Sequence, residues 1–484
     1  MSISGTLASA LSGLSASAKA AELVSSNIAN ASTPGYGKRD LQLTSRTVGT
    51  TGQGVLVVGV RRSVDLALLG DRRQAQSSAG DADARAAFFK RLEGAIGTPD
   101  LAHSLNGRIA AFDAALTEAT AHPESEPRLA NVMSAAKALV RQIGTVSKDI
   151  QAARTQANNQ IASDVTELNA ALERVMKLNV QIRRGSGAGQ DTAALQDQRQ
   201  QVIDQIAAIV PLREIQQNDG SISLYTTGGA VLVDGPPAVF GFSATSTLNP
   251  YMTQDSGLSG LTLNGNPINT SGDRSVIRGG RLAAGFALRD ELGVTAQGQV
   301  DALARDLVER FADSGLDASR APGAPGLFTD SGAAFDPLNE TGLSQRLKIN
   351  AAADPEQGGA LWRLRDGLGA TSPGPVGNSA LLSGMRQALT GPREPASGGF
   401  MAGERSFGTF AADFLSLAST ARLTADGEAA YTRTRLEALT SMEAENGVDT
   451  DAEMQSLLEI ERAYAANAKV IQAVETMLQA LMEI

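Results

Sequence analysis

The stretch whose reading decides the fold is residues 3–36, ISGTLASALSGLSASAKAAELVSSNIANASTPGY. Steps of four and three residues land on Ile3, Leu7, Ala10, Leu14, Ser17, Ala21, Val24 and Ile28, a heptad seam that predicts one amphipathic helix. Its opposite face carries Ser, Thr, Ala and Gly, with only Lys19 and Glu22 charged. Such a helix suits the inside of a bundle better than a solvated surface. Pro34 removes a donor and pushes Thr33 out of the α region, and Gly35 allows a turn, so the helix is expected to end near Asn30.

The other end of the chain repeats the device. Leu457, Ile460, Tyr464, Asn467, Ile471, Val474, Leu478 and Leu481 form a second seam of similar length. Thr450 and Glu453, three residues apart, have the spacing of a capping box at its start. The two seams are suited to pair with each other in one core, or with seams of other copies; periodicity alone leaves both open.

Between them the composition changes twice. Residues 38–62 read as an extended arm with a small hairpin, around Gly52-Gln53-Gly54 and Val55-Leu56-Val57-Val58. Helices are expected over about 65–95, 105–119, 123–184 and 191–209. The third of these has a seam that slips at Asn158-Asn159, and about 60 residues of helix make a rod about 90 Å long. Gly185 to Gly189 reads as a helix stop. From Pro211 the text turns to short alternating runs, with a hairpin turn at Asn264-Gly265 and a helix at about 283–313. Residues 366–404 are rich in Gly and Pro and read as a connection, after which helical periodicity returns.

The expected fold is a multidomain α+β protein. A long α-helical, coiled-coil-like bundle is formed by the N- and C-terminal segments, with an inserted mainly β domain. The expected parts are an assembly helix at 1–36, a helical rod domain at 37–210, a β domain at 211–365, the connection at 366–404, the rest of the rod at 405–446, and a second assembly helix at 447–484.

Bulk properties narrow the function. A formal charge of -10 argues against nucleic acid, because no basic stripe replaces phosphate counterions. With no cysteine, thiolate metal sites, disulfides and cysteine nucleophiles are excluded. No transmembrane run and no cleavable signal are visible, and the first helix, with Lys19 as its one cation, does not suit insertion in a membrane surface. His103 and His122 have no carboxylate at metal spacing and read as loop or helix-end residues. Residues 449–453 begin like a calcium loop, but Met454 stands where glycine is needed and Ile460 where glutamate is needed. No catalytic, cofactor or metal site is expected, and no enzyme.

Three segments near the N-terminus, Ala10-Leu11-Ser12-Gly13-Leu14, Ser26-Asn27-Ile28-Ala29-Asn30 and Thr33-Pro34-Gly35-Tyr36, resemble the signature of the axial proteins of the bacterial flagellum: rod, hook and hook-associated proteins. Near the C-terminus, Asn446-Gly447-Val448-Asp449, Glu453-Met454, Ala463 to Ile471 and Met477 to Leu481 are similar to the same family, though Thr450 stands where it usually has Leu. The Thr-Pro-Gly-Tyr ending is like that of its hook-associated members. The motif residues are thus Asn27, Asn30, Thr33, Pro34, Gly35 and Tyr36.

The resemblance implies an extracellular structural protein at the hook–filament junction, exported without a cleaved signal. Its implied partners are other copies of itself in a ring or helical oligomer, the hook protein, a second junction protein, and an export chaperone on the C-terminal helix. The implied assembly interface is Ile3, Leu7, Leu14, Val24 and Ile28 with Leu457, Ile460, Tyr464, Ile471, Val474, Leu478 and Leu481. A chain of this length is short for the family, so a reduced or missing outer domain is expected. The rival readings are a hook or distal rod protein and, from another class, a cytosolic coiled-coil scaffold whose ends pair within the chain.

Overall fold

The computed structural model describes residues 3–48, 51–272, 274–313 and 315–482. In chain order come α1 (Ile3–Asn30), the ribbon β1 (Lys38–Val48) and β2 (Thr51–Ser63), then α2 (Leu66–Ile96), α3 (Leu105–Ala121), α4 (Glu126–Gly187) and α5 (Ala193–Ile209). Six short strands follow: β3 (Leu212–Gln216), β4 (Ile222–Thr226), β5 (Val231–Val233), β6 (Phe240–Gly241), β7 (Leu261–Leu263) and β8 (Asn266–Ile268). Next are α6 (Gly280–Ala287), a π turn (Leu288–Leu292) and α7 (Gly293–Ala312), which form one run. The pair β9 (Phe328–Asp330) and β10 (Leu347–Ile349) brackets α8 (Leu343–Arg346). Last come α9 (Arg363–Asp366), α10 (Ala380–Thr390), α11 (Phe407–Glu445) and α12 (Thr450–Met482).

Helix α4 is the spine. Its 62 residues extend about 93 Å at 1.5 Å per residue, and it serves two cores in succession. The first half buries Val132, Ala136, Leu139, Ile143 and Val146 against α3, α7, α10 and the start of α11. There Phe112, Phe311 and Phe328 pack with ring centroids 4.8 to 5.9 Å apart. The second half buries Ile161, Leu168, Leu172, Val175 and Ile182 against α5, α6 and the two three-stranded antiparallel sheets β3-β4-β5 and β6-β7-β8. Two asparagines of α4 satisfy backbone groups of those sheets. Asn169 bonds both the N–H and the carbonyl of Phe240, and Asn179 does the same for Ile222.

The slip in the α4 seam marks where the two cores meet. Arg154 and Asn158 are fully buried there. Arg154 donates to the carbonyls of Arg289, Asn249 and Met252, and Asn158 donates to that of Thr245. Arg289, on the π turn, donates to Asn158 and lies over the Phe242 and Phe286 rings. The polar residues that interrupt the periodicity therefore hold a loop that has no strand to pair with.

Two parts of the organisation differ from the sequence expectation. Residues 211–365 do not form one β unit, because the run from α6 to α7 crosses from the sheet core into the helical core, where Val300, Leu303, Leu307 and Phe311 are buried. Residues 366–404 are not only a connection: α10 buries Leu381, Leu382, Met385 and Leu389 in the first core.

Helices α2 and α11 pack against each other around Ala82, Ala86, Ala425 and Ala429, small side chains that let two backbones approach closely. Ion pairs flank the seam, Arg433–Asp83 at 2.6 Å and Arg422–Glu93 at 2.7 Å. This pair leads from the helical core to the base of the ribbon and of the two terminal helices. There Arg72 and Arg73 of α2 hold Asp204 of α5, each at 2.7 Å, while Arg72 also pairs with Glu443 at the end of α11.

Candidate functional site

The two terminal helices pack on each other in antiparallel fashion. Asn27 meets Glu453 at one end, and Gly13 meets Asn467 midway. A Cβ on Gly13 would lie 2.7 Å from the Asn467 amide, so the glycine of the Ala-Leu-Ser-Gly-Leu segment sets how closely α12 approaches. The ribbon runs back along α1: Val55 N–H donates to Ser12 Oγ at 3.1 Å, and Gly54, at φ +94°, fits where a Cβ would strike that hydroxyl.

The seam residues divide by burial. Val24 and Val474 are buried; Ile3, Leu7, Leu14, Ile28, Leu457, Ile460 and Ile471 are half-buried; Tyr464 and Leu478 are exposed at 48% and 42%. The Leu481 side chain lies outside the described residues. Within one chain the seams thus cover each other only along a narrow stripe. Leu11, Met454, Leu458, Val470 and Met477 stay exposed on other faces of the pair, far more apolar surface than a monomer's helix needs to show.

The motif residues build a joint between this pair and the body. Asn27 is 1% exposed and makes four hydrogen bonds. Its Nδ2 donates to the Arg39 carbonyl and to Glu453 Oε2, both at 3.0 Å. Its Oδ1 accepts from Tyr36 Oη at 2.9 Å and from the Arg39 N–H at 3.0 Å. One side chain therefore ties α1, the turn after it, β1 and α12 together. Asn30 donates back to the Ser26 carbonyl and accepts from the Thr33 hydroxyl, which closes the turn. Pro34 and Gly35 offer their carbonyls to Gln201 and Arg62, and Gly35 takes φ +77°.

A second carboxylate completes the joint. Asp197 of α5 pairs with Arg39 at 2.9 Å and Arg62 at 2.7 Å, and accepts the Gly37 N–H at 3.0 Å. Arg39 also lies over the Tyr36 ring, 4.8 Å from its centroid. Arg39 and Arg62 sit directly opposite each other in the ribbon register. Like charges in that position repel unless an anion stands between them, and Asp197 is that anion.

Sequence reasoning missed Asp197, Arg39 and Arg62, and misassigned Glu453. Thr450 and Glu453 do not form a capping box. Asp449 caps α12, accepting the N–H groups of Asp451 and Ala452, which frees Glu453 to bond Asn27 and to pair with Lys38 at 2.9 Å. The only available signal was the pair of basic doublets, Lys38-Arg39 and Arg61-Arg62, at the two ends of one hairpin.

The hydrogen bond that Lys38 donates to Glu453 raises its pKa above the ordinary 10.5. A cation raised in the folded state stabilises fully below its unfolded value and loses that effect as pH rises through the folded one. The stability difference between the native chain and a Lys38→Met variant is therefore expected to be constant from pH 6 to 9 and to narrow above 10.5. Denaturant titrations across that range measure it.

His122 contacts Glu124 at 3.2 Å where α3 ends. No group of three or more potential ligands gathers at metal-binding distance among the described residues. No helix among them is long and apolar enough to cross a membrane.

Comparison with known families matches three segments of this architecture. Residues 7–36, which are α1 and its closing turn, match the flagella basal body rod protein family. Residues 441–484, which hold α12, match the flagellar basal body rod FlgEFG protein C-terminal family. Residues 89–327, from late α2 to the start of β9, match the flagellar hook-associated protein FlgK helical domain. The chain belongs to the flagellar hook-associated protein family.

Among relatives, flagellar hook-associated protein 1 of Salmonella typhimurium is 29% identical over 251 residues, covering 50% of this chain and 45% of the relative. The Escherichia coli protein of that name is 26% identical over 258 residues, covering 52% and 47%. The Bacillus subtilis one is 25% identical over 233 residues, covering 46% of each. This hook-associated family member thus spans about half the length of the relatives it matches. The flagellar hook junction protein FlgK from Burkholderia pseudomallei has a solved structure with a TM-score of 0.45 at 21% identity, covering 54% of this chain and 46% of that one.

Proposed function

We propose that this chain is a structural protein of the hook–filament junction, outside the cell. It polymerises on the hook tip through α1 and α12, and seats the next junction protein and the filament. The observation that carries this reading is the terminal pair itself: it is jointed to the body by Asn27, Glu453 and Asp197 while Leu11, Leu458 and Leu478 stay exposed. An exposed apolar helix pair on a firm mount suits burial against neighbouring copies.

The seam residues from Ile3 to Ile28 and from Leu457 to Leu481 are then the assembly interface. The partners are further copies of the chain, the hook protein, the second junction protein and, before export without a cleaved signal, a chaperone on α12. The reading gives no residue a catalytic or cofactor role. A second reading, in which the ends simply close one chain, is favoured by the intrachain packing of α1 on α12.

Leu478→Asp is the discriminating change, because Leu478 is 42% exposed and the chain's own fold does not depend on it. Cells carrying it are expected to make a normally folded body, with unchanged thermal melting, that no longer incorporates into flagella. Leu14→Asp on α1 should act in the same way. Motile, filament-bearing cells with either variant would rule the reading out, and labelling along the hook rather than at its tip would favour a hook or rod protein.

A further inference from the structure

The ribbon β1–β2 has only two strands, and no third strand pairs with it among the described residues. One face lies along α1, while Leu56 and Val58 are 50% and 61% exposed. A two-stranded ribbon is marginal by itself, and apolar residues on its open face are usually covered by something. Its charges are Lys38, Arg39, Arg46, Arg61 and Arg62 against the single anion Asp40. Three of these cations are engaged, by Glu453 and Asp197. Arg46 and Arg61 have no ion pair among the described residues, although Arg61 stands across from Asp40. The open face therefore presents apolar side chains between two free cations, about 20 Å apart at 3.3 Å per residue.

The complementary pattern lies on α12. Asp451, Met454, Leu458, Glu461 and Ala465 follow one another in steps of three and four, so they form one stripe. All five are exposed, and neither acid has an ion pair among the described residues. Asp451 and Glu461 are about 15 Å apart along the helix, with Met454 and Leu458 between them. Flexible arginine side chains reach across the small difference in length. The stripe lies about 160° around the helix from Val474, the residue buried against α1, at 100° per residue. A ribbon lying along α1 of the same chain therefore does not cover it.

We propose that the ribbon of one copy docks on this α12 stripe of a second copy, with Leu56 and Val58 against Met454 and Leu458 and with Arg46 and Arg61 on Asp451 and Glu461. The inference rests on the assembly reading above and adds to it a specific heterologous contact. Each copy offers a ribbon on one side and a stripe on another, so the contact propagates from copy to copy instead of closing a pair.

The chain has no cysteine, which makes the test clean. Two full-length variants, Val58→Cys and Leu458→Cys, are mixed at rising concentration, oxidised and sedimented, and the cross-links are mapped by mass spectrometry. Position 58 linked to position 458, in the mixed sample only, is the expected result. Arg61→Glu in the first variant, or Glu461→Arg in the second, should each reduce the cross-link at least tenfold, and the two together should restore it. Sedimenting assemblies without that link would overturn the docking while leaving assembly through α1 and α12 intact. A chain that stays monomeric at every concentration would overturn both.

Discussion

Asp197→Ala is expected to release the ribbon and α1 from the body without unfolding the body. The carboxylate pairs with Arg39 and Arg62, whose side chains are only 16% and 11% exposed, and it also takes the Gly37 N–H. Removing it leaves two cations face to face in the ribbon register, with no anion between them. Removing one partner of a buried pair costs about 3 kcal/mol or more, which is about a hundredfold in a local opening equilibrium. Amide exchange across residues 21–63 should speed up by that factor. Amides of α4 around Leu139 and Ile143, which are fully buried in a separate core, should not change. Asp197→Asn should fall between, since an amide still accepts hydrogen bonds but brings no charge.

Asn27→Asp is expected to have an effect of similar size at the other end of the joint. The amide donates to Glu453 and to the Arg39 carbonyl. A carboxylate in its place would face one anion and one carbonyl oxygen, neither with a donor. Leaving buried acceptors unsatisfied costs about 1 to 3 kcal/mol each, and like-charge repulsion adds to that. The first turns of α12 should therefore detach from α1. Adding Glu453→Gln should recover part of the loss, because the new amide donates back to the introduced carboxylate. Recovery stays partial, since the Arg39 carbonyl still has no donor from position 27. A double-mutant cycle read by amide exchange at residues 450–460 measures the coupling.

Much of the fold was legible because it rests on long periodic helices. The seams of α1, α4 and α12 follow from spacing alone, and the Asn264-Gly265 turn joins β7 to β8 with both residues at positive φ. Helix α10 was hidden by its neighbours. Leu381, Leu382, Met385 and Leu389 have helical spacing, but Gly, Pro and Ser on both sides give the segment the composition of a loop. Residues 280–312 follow helical periodicity, yet spacing does not say which of two cores a helix enters. The joint was the least legible part. Asn27, Asp197 and Glu453 come from three distant regions, and a buried carboxylate on α5 reads in sequence like any solvated acid. At α12 two neighbouring residues could cap the helix, and Asp449 rather than Thr450 does so.

The most direct test of the terminal pair as a mounted assembly element is amide exchange of the full chain, first dilute and then in sedimented assemblies. In the dilute chain, residues 3–20 and 460–482 are expected to exchange within seconds, while residues near Asn27 and Glu453 exchange more slowly and those of the α4 core over minutes to hours. On assembly, exchange in both terminal segments should slow by a hundredfold or more. Terminal helices as protected as α4 in the dilute chain, with no further change on assembly, would contradict this and leave α1 and α12 as part of a monomer's own core.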